Sequence, residues 1–378
     1  MGLTSNQFTV RVIGQSQFAA TATNLAVGSY VDLSTGTGMS ANPYSSGDDI
    51  QWMSVCAYYD PARKELQYMG KWASNQDTSG TFYHYIWDEM TNTWYRPLQG
   101  SLIGGGTTGH IFQAGFDENT GNYYTGFYNT EYFKWFNRDG WVSAGKPNPA
   151  NGIPSYWNNT TTTNTSLFTT GATETNAVTI HPNCFGLNDK GLVVGSEAFI
   201  WGYRFADNTW YKLSSDFSGI SGVWAGARGN GGGGVYCPGA DVAVVGFGNT
   251  QPSNAPGPAW KVPAGTGAGN RTTATYGQVP MPFECASGNA STQGKVLQHP
   301  SNREVLLALQ NGTGEVYQST NYGVTWTDAG YNHPFAIGNW GLASGSWVYT
   351  CCTVHGKDVI LGLRSAGAGF SVRMWKPG

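Results

Sequence analysis

Residues 295–309 read KVLQHPSNREVLLAL: an apolar run, a polar turn and a second apolar run. Apolar runs this short on either side of a turn describe two antiparallel strands. The Asn, Ser and His side chains can bond turn amides, and Pro fixes its own φ. The same order returns as SVCAYYDPARKELQYMG (54–70), HIFQAGFDENTGNYYTGFY (110–128), NCFGLNDKGLVVG (183–195), VYCPGADVAVVGFG (235–248) and YTCCTVHGKDVILGL (349–363). The chain is a series of hairpins.

A second unit follows each hairpin, aromatic at first, then turn-like, and ending in Trp. It reads FYHYIWDEMTNTW to Trp94, EYFKWFNRDGW to Trp141, FIWGYRFADNTW to Trp210, APGPAW to Trp260, VYQSTNYGVTW to Trp326 and FSVRMW to Trp375. These tryptophans are spaced by 47, 69, 50, 66 and 49 residues, a period near 50 with two insertions. Helix-period patterns are nearly absent, so the chain is expected to be all-β. Four strands per period and six periods predict a six-bladed β-propeller, with seven blades as the alternative count. The Thr-rich stretch 158–173 and the Gly/Pro-rich region around 263–294 are expected to be surface loops.

The sixth unit leaves no room for a fourth strand after Trp375, which would expose a bare sheet edge. Ser29-Tyr30-Val31-Asp32-Leu33-Ser34 resembles WYKLSS (210–215) and WYRPL (94–98), which follow the turns of the third and first units. Residues near 29–34 are therefore expected to pair with residues near 370–375 and close the ring. On this reading 29–378 form the propeller, and 1–28 project as an arm toward a neighbouring subunit.

Composition narrows the function. Charged residues are 11% of the chain, aromatics 14%, and 54 of 378 residues are Gly. A net charge of -3 with 20 Lys+Arg gives no cationic footprint for nucleic acid or an anionic bilayer. No apolar run is long enough to span a membrane, and the first residues lack the pattern of a secretory signal, so neither insertion nor export by that route is expected. Six Cys are too few for a disulfide scaffold and lack zinc spacing, so they are expected to be reduced thiols.

Ser319-Thr320-Asn321-Tyr322-Gly323-Val324-Thr325-Trp326 resembles the Asp-box of sialidase-type and xyloglucanase-type propellers, with Asn321 at the usual Asp position. The units ending DEMTNTW (88–94) and ADNTW (206–210) are similar to kelch blades. Both resemblances imply a propeller. In the box Ser319 and Asn321 would satisfy turn amides, Gly323 would take positive φ, Thr325 completes the motif and Trp326 would pack between sheets. Sialidases would also require an arginine cluster and a Tyr/Glu pair. Ten Arg are present here, and the early Arg-Ile-Pro signature is not.

Other constellations read as structure. The six His contain no paired metal motif, and His299 and His355 align with the turn position of Asp60, so no metal and no cofactor is expected. The acid pairs Asp48-Asp49, Asp88-Glu89 and Asp117-Glu118 are expected to be solvated turn residues rather than a glycosidase pair. Cys56, Cys184, Cys237 and Cys352 occupy first strands of different units as small core residues. Tyr156 and Trp157 beside the Thr-rich insertion are the candidate binding residues, suited to stacking on a sugar or partner.

A charge-poor, Gly/Asn/Thr/Ser/aromatic-rich all-β chain resembles bacteriophage tail-fibre and adhesion proteins. The expectation is a non-enzymatic virion structural or attachment protein, made in the host cytoplasm, on the tail or head surface. It would bind other virion proteins through its arm and a host glycan or receptor through its loops. The alternatives are a carbohydrate-active enzyme of the Asp-box or kelch type, which would be extracellular, and an intracellular kelch-like scaffold.

Overall fold

The structure is a computed structural model. It describes residues 18–33, 39–40, 56–72, 81–100, 111–117, 122–127, 133–137, 184–188, 191–195, 200–204, 209–212, 233–240, 242–246, 259–263, 277–279, 282, 294–310, 312–336, 349–366 and 369–378.

Among the described residues, the hairpin repeat becomes six antiparallel sheets in chain order. A short strand β1 (Tyr30–Asp32) comes first. The first sheet is β2 (Cys56–Asp60), β3 (Glu65–Trp72), β4 (Thr81–Asp88) and β5 (Thr93–Gly100). The second holds β6 (Ile111–Asp117), β7 (Asn122–Phe127) and β8 (Phe133–Asn137). The third is β9 (Cys184–Asn188), β10 (Gly191–Gly195), β11 (Ile200–Arg204) and β12 (Thr209–Lys212). The fourth is β13 (Gly233–Cys237), β14 (Val242–Gly246), β15 (Ala259–Pro263) and β16 (Gly277–Val279). The fifth is β17 (Gly294–His299), β18 (Asn302–Gln310), β19 (Glu315–Ser319) and β20 (Thr327–Asn332).

The sixth sheet breaks the chain order. Its strands are β21 (Tyr349–Val354), β22 (Val359–Ala366) and β23 (Gly369–Trp375), and its fourth strand is β1. Tyr30 pairs with Trp375, Val31 with Met374 and Asp32 with Arg373, the pairing expected from the sequence. Backbone bonds extend it, from Gly28 N–H to the Lys376 carbonyl at 2.8 Å and from Lys376 N–H to the Ser29 carbonyl at 3.1 Å.

First strands of successive sheets lie side by side: β2 against β6, β6 against β9, β9 against β13, β13 against β17, β17 against β21, and β21 against β2. Among the described residues, apolar side chains fill the spaces between the fourth and fifth, the fifth and sixth, and the sixth and first sheets. Val235, Cys237, Val242 and Val244 of the fourth sheet pack on Val296, Leu306 and Ala308 of the fifth. Leu307, Leu309 and Val316 of the fifth pack with Cys351, Ile360 and Trp375 of the sixth. Tyr59, Leu66, Tyr68, Tyr85 and Trp87 of the first share a cluster with Cys352, Val354, Val359 and Leu361 of the sixth.

Three local expectations are corrected. Residues 18–28 do not project. Residues 18–24 form a short helix, α1, that buries Phe18 and Ala22 against the first and sixth sheets, because those two residues fall one helical turn apart on its apolar face. The region around 263–294 is not all loop, since Gly277–Val279 supply the fourth strand of the fourth sheet. The tryptophans do not mark one position: Trp94 and Trp210 sit in fourth strands, Trp260 and Trp375 in third strands, and Trp326 between strands.

Candidate functional site

The densest buried ionisable chemistry among the described residues lies where the sixth sheet meets the first. Glu89 follows β4 in a turn closed by Asp88, whose carboxylate accepts the Met90 N–H at 2.7 Å and the Thr91 hydroxyl at 3.0 Å. That turn aims Glu89 inward, where it is 1% exposed. Its carboxylate accepts the Tyr59 hydroxyl, and Lys357, from the turn between β21 and β22, donates to both oxygens at 2.8 and 3.1 Å. The ammonium also lies 4.9 Å from the centre of the Phe18 ring and 5.9 Å from that of Tyr59. Phe18 and Tyr59 stack with centroids 5.8 Å apart, so α1 roofs the cluster.

The chemistry of this cluster is that of a lock. Burial first, and the Glu89 carboxylate second, hold Tyr59 far above the ordinary phenol value, so it stays a proton donor. A buried carboxylate needs a paired charge and hydrogen bonds to be tolerated, and Lys357 and Tyr59 supply them. Tyr59 and Glu89 do make a hydrogen-bonded Tyr/Glu pair. The same carboxylate accepts from Lys357 beneath Phe18, so the pair joins the first and sixth sheets.

A second charged contact fastens β1. Arg373 donates from Nε and Nη2 to the two Asp32 oxygens at 2.7 and 3.1 Å, and from Nη1 to the Pro334 carbonyl at 2.6 Å. Its guanidinium lies 4.4 Å from the Tyr30 ring centre. The planar fork of Arg meets a carboxylate with two parallel bonds, which fixes register as well as charge. Farther along, Asn92 at φ +52° accepts both the Trp87 indole N–H at 3.0 Å and the Ser40 N–H at 2.8 Å. Trp94 donates its indole N–H to the Ser40 carbonyl at 2.8 Å. The N-terminal segment thus grips the sixth sheet at residues 30–32 and the first at residue 40.

The 319–326 turn is held together by its own side chains. The Ser319 hydroxyl donates to Asn321 Oδ1 at 3.0 Å and accepts the Gly323 N–H at 2.8 Å. Asn321 Oδ1 also accepts the Thr325 N–H at 2.8 Å, while its Nδ2 donates to the Thr325 hydroxyl at 2.8 Å. Gly323 takes φ +81° and Tyr322 φ +60°. Trp326 packs on the apolar cluster shared by the fourth and fifth sheets.

The remaining sequence candidates divide. Tyr156, Trp157, Asp48 and Asp49 lie outside the described residues. His299 ends β17 and caps the turn that follows, its Nδ1 accepting the Ser301 N–H at 3.2 Å as the carboxylate of Asp60, at the end of β2, accepts the Ala62 and Arg63 N–H groups at 2.9 and 3.0 Å. His355 lies in its turn and bonds Gln298 Oε1 at 3.1 Å. Cys237, Cys351 and Cys352 are buried thiols, and burial pushes Cys351 up to about 12 and Cys352 higher. Glu89 corrects the expectation of solvated acids: Asp88 serves the turn, but its neighbour is buried and paired. Nothing adjacent in the sequence flags Glu89, because Tyr59 is 30 residues away and Lys357 is 268.

Among the described residues, no helix is long and apolar enough to cross a membrane, and no group of three or more His, Cys, Asp or Glu could hold a metal ion.

No family model matches the chain, and no curated protein matches its sequence. Solved structures of similar shape include an α-L-arabinofuranosidase from Fusarium graminearum in complex with an iminosugar inhibitor. It has TM-score 0.49 and 9% identity, over 89% of this chain and 96% of that one. A Bacteroides thetaiotaomicron protein of unknown function gives TM-score 0.48 and 8% identity, over 93% and 73%. A Penicillium chrysogenum α-L-arabinanase complexed with arabinobiose gives 0.38 and 11%, over 89% and 79%. Likenesses this distant assign neither a family nor an activity to this chain.

Proposed function

We propose that the chain is a closed six-bladed β-propeller serving as a non-enzymatic attachment module of a bacteriophage virion. Closure is supported by the side-by-side order of the six first strands, which returns from β21 to β2, and by the completion of the last sheet with β1. The virion assignment rests on the Gly-rich, aromatic-rich, charge-poor composition of a chain that would fold in the host cytoplasm and work on a particle.

The observation that carries the non-enzymatic reading is the use of two ion pairs that link remote segments of the described residues. Glu89 with Lys357, and Asp32 with Arg373, are each committed to joining strands far apart in sequence. Recognition then falls to loops, with Tyr156 and Trp157 stacking on a host glycan or receptor. Other virion proteins would dock on the N-terminal segment.

Two measurements test the proposal. Immunogold labelling of purified phage particles should place the chain on the tail or head surface. A glycan array with a parallel reducing-sugar assay should give binding without turnover, lost in Trp157→Ala. Turnover abolished by changing one carboxylate would instead establish a carbohydrate-active enzyme. Absence of the chain from particles would remove the virion assignment.

A further inference from the structure

We propose that His333 is an acid-sensitive pin for β1, the strand that completes the sixth sheet. His333 follows β20 and is 1% exposed. Its ring lies 6.3 Å from that of Trp375 and 5.7 Å from that of Phe335, centre to centre. Both ring nitrogens are engaged: Nε2 bonds the Gln310 carbonyl at 2.8 Å, and Nδ1 lies 3.1 Å from the Phe335 N–H. A carbonyl only accepts and an N–H only donates, so the ring carries its proton on Nε2 and accepts at Nδ1. That is the neutral form.

A second proton has one place to go, Nδ1, where it meets the Phe335 N–H. The bond becomes a clash of two donors inside an aromatic pocket. Burial supports the neutral form and pushes His333 down to about 4, against the weaker opposing pull of the Gln310 carbonyl.

Among the described residues, charged and titratable groups approach this region from β23, β19 and β20. Arg373 on β23 reaches the Pro334 carbonyl, next in sequence, and adds a like charge nearby. Glu315 on β19 gives its carboxylate to the Tyr317 hydroxyl at 3.2 Å. Tyr331 on β20 donates to the Gly378 carbonyl at 3.4 Å. The Gln310 and Gly314 segment presents backbone carbonyls.

What makes the clash matter is the next link. Pro334 lies between the two residues that collide, and its carbonyl accepts from the Arg373 guanidinium, which also donates to both Asp32 oxygens of β1. Phe335 cannot yield toward β22, because its ring already sits where a Cβ on Gly362 would be 2.4 Å away. The turn must therefore move outward and take the Pro334 carbonyl with it. Arg373 loses that anchor, and the short pairing of β1 is left to open in acid.

Hydrogen exchange read by mass spectrometry on the full chain tests this, comparing peptides covering 29–33 and 333–336 between pH 7 and 4.5 with intrinsic rates corrected. Protection of both segments should fall together, at least tenfold, as the pH drops below 6. His333→Gln keeps one donor and one acceptor but does not titrate, so its 29–33 segment should hold its protection down to pH 4.5. If 29–33 opens in acid equally in His333→Gln, the opening does not run through His333 and the proposal fails. Should that variant not fold, the native protein decides: loss of protection at 29–33 while 333–336 stays protected overturns the pin, and joint loss upholds it.

Discussion

The junction of the fourth and fifth sheets and the junction of the sixth and first solve one packing problem with different chemistry. The first of these joins neighbours in sequence. It is a seam of Val, Leu, Ala and Cys, with crossing bonds from side chain to backbone: Glu304 accepts the Gly239 N–H at 2.7 Å, and Gln298 donates to the Tyr236 carbonyl. The second joins segments separated by almost the whole chain. There the apolar seam is supplemented by a helix roof and the Glu89–Lys357 ion pair, and the sixth sheet itself is completed by a borrowed strand that a second remote ion pair, Asp32–Arg373, fastens. Apolar contact is non-directional, so it suffices where the chain itself holds the sheets together. Where the chain must find a partner more than 300 residues away, as Asp32 finds Arg373, directional charges specify the register.

The largest expected effect comes from removing the device at the remote junction. A chain lacking residues 1–36 loses α1 and β1, exposes the β23 edge and should aggregate on purification. Deletion of 1–28 removes Phe18 and Ala22 from the core but leaves β1, and should give a folded protein with a lower melting temperature. A 37–378 fragment as stable as the full chain would erase the distinction between the two junctions.

Lys357→Met sharpens it. The substitution leaves Glu89 buried without its counter-charge, an effect of about 3 to 5 kcal/mol in denaturant unfolding. Truncating Glu304, in the sequential junction, should cost markedly less, and equal losses would contradict the contrast.

Acid should act through His333 next. Its folded value of about 4 lies below the ordinary 6.5, so the unfolded chain takes up the proton first. Stability should therefore be level above pH 6.5 and fall by up to about 3 kcal/mol as pH drops to 4, with His333→Gln removing that slope. Urea midpoints across this range are the readout.

Smallest is Asn321→Ala in the turn beside the sequential junction. It removes the acceptor of the Thr325 N–H and should cost about 0.5 to 2 kcal/mol by thermal melting, with binding unchanged. Lost binding at an unchanged melting temperature would make the turn a recognition site.

The sequential features were legible in the sequence because they are local. Each quoted hairpin became a strand pair, down to the His355–Asp358 turn, since two apolar runs and a turn sit within about 15 residues. The closing strand was legible too, by likeness of Tyr30–Asp32 to strands after other turns. The lock was not. Tyr59, Glu89 and Lys357 carry no common motif, and Asp88-Glu89 looks like any solvated acid pair until the fold turns one carboxylate inward. The helix at 18–24 escaped because seven residues are too short for a periodic signal and gain their helicity from packing Phe18.

The central claim is that one chain's own residues 30–32 complete its last sheet. Val31 and Met374 are opposite each other in that pairing, at the separation cross-strand cysteines can bridge. In the Val31→Cys, Met374→Cys protein, mild oxidation and peptide mass mapping should find a 31–374 disulfide in a monomer, with a raised melting temperature. A link found only in dimers, or no link in a folded monomer, would contradict the account.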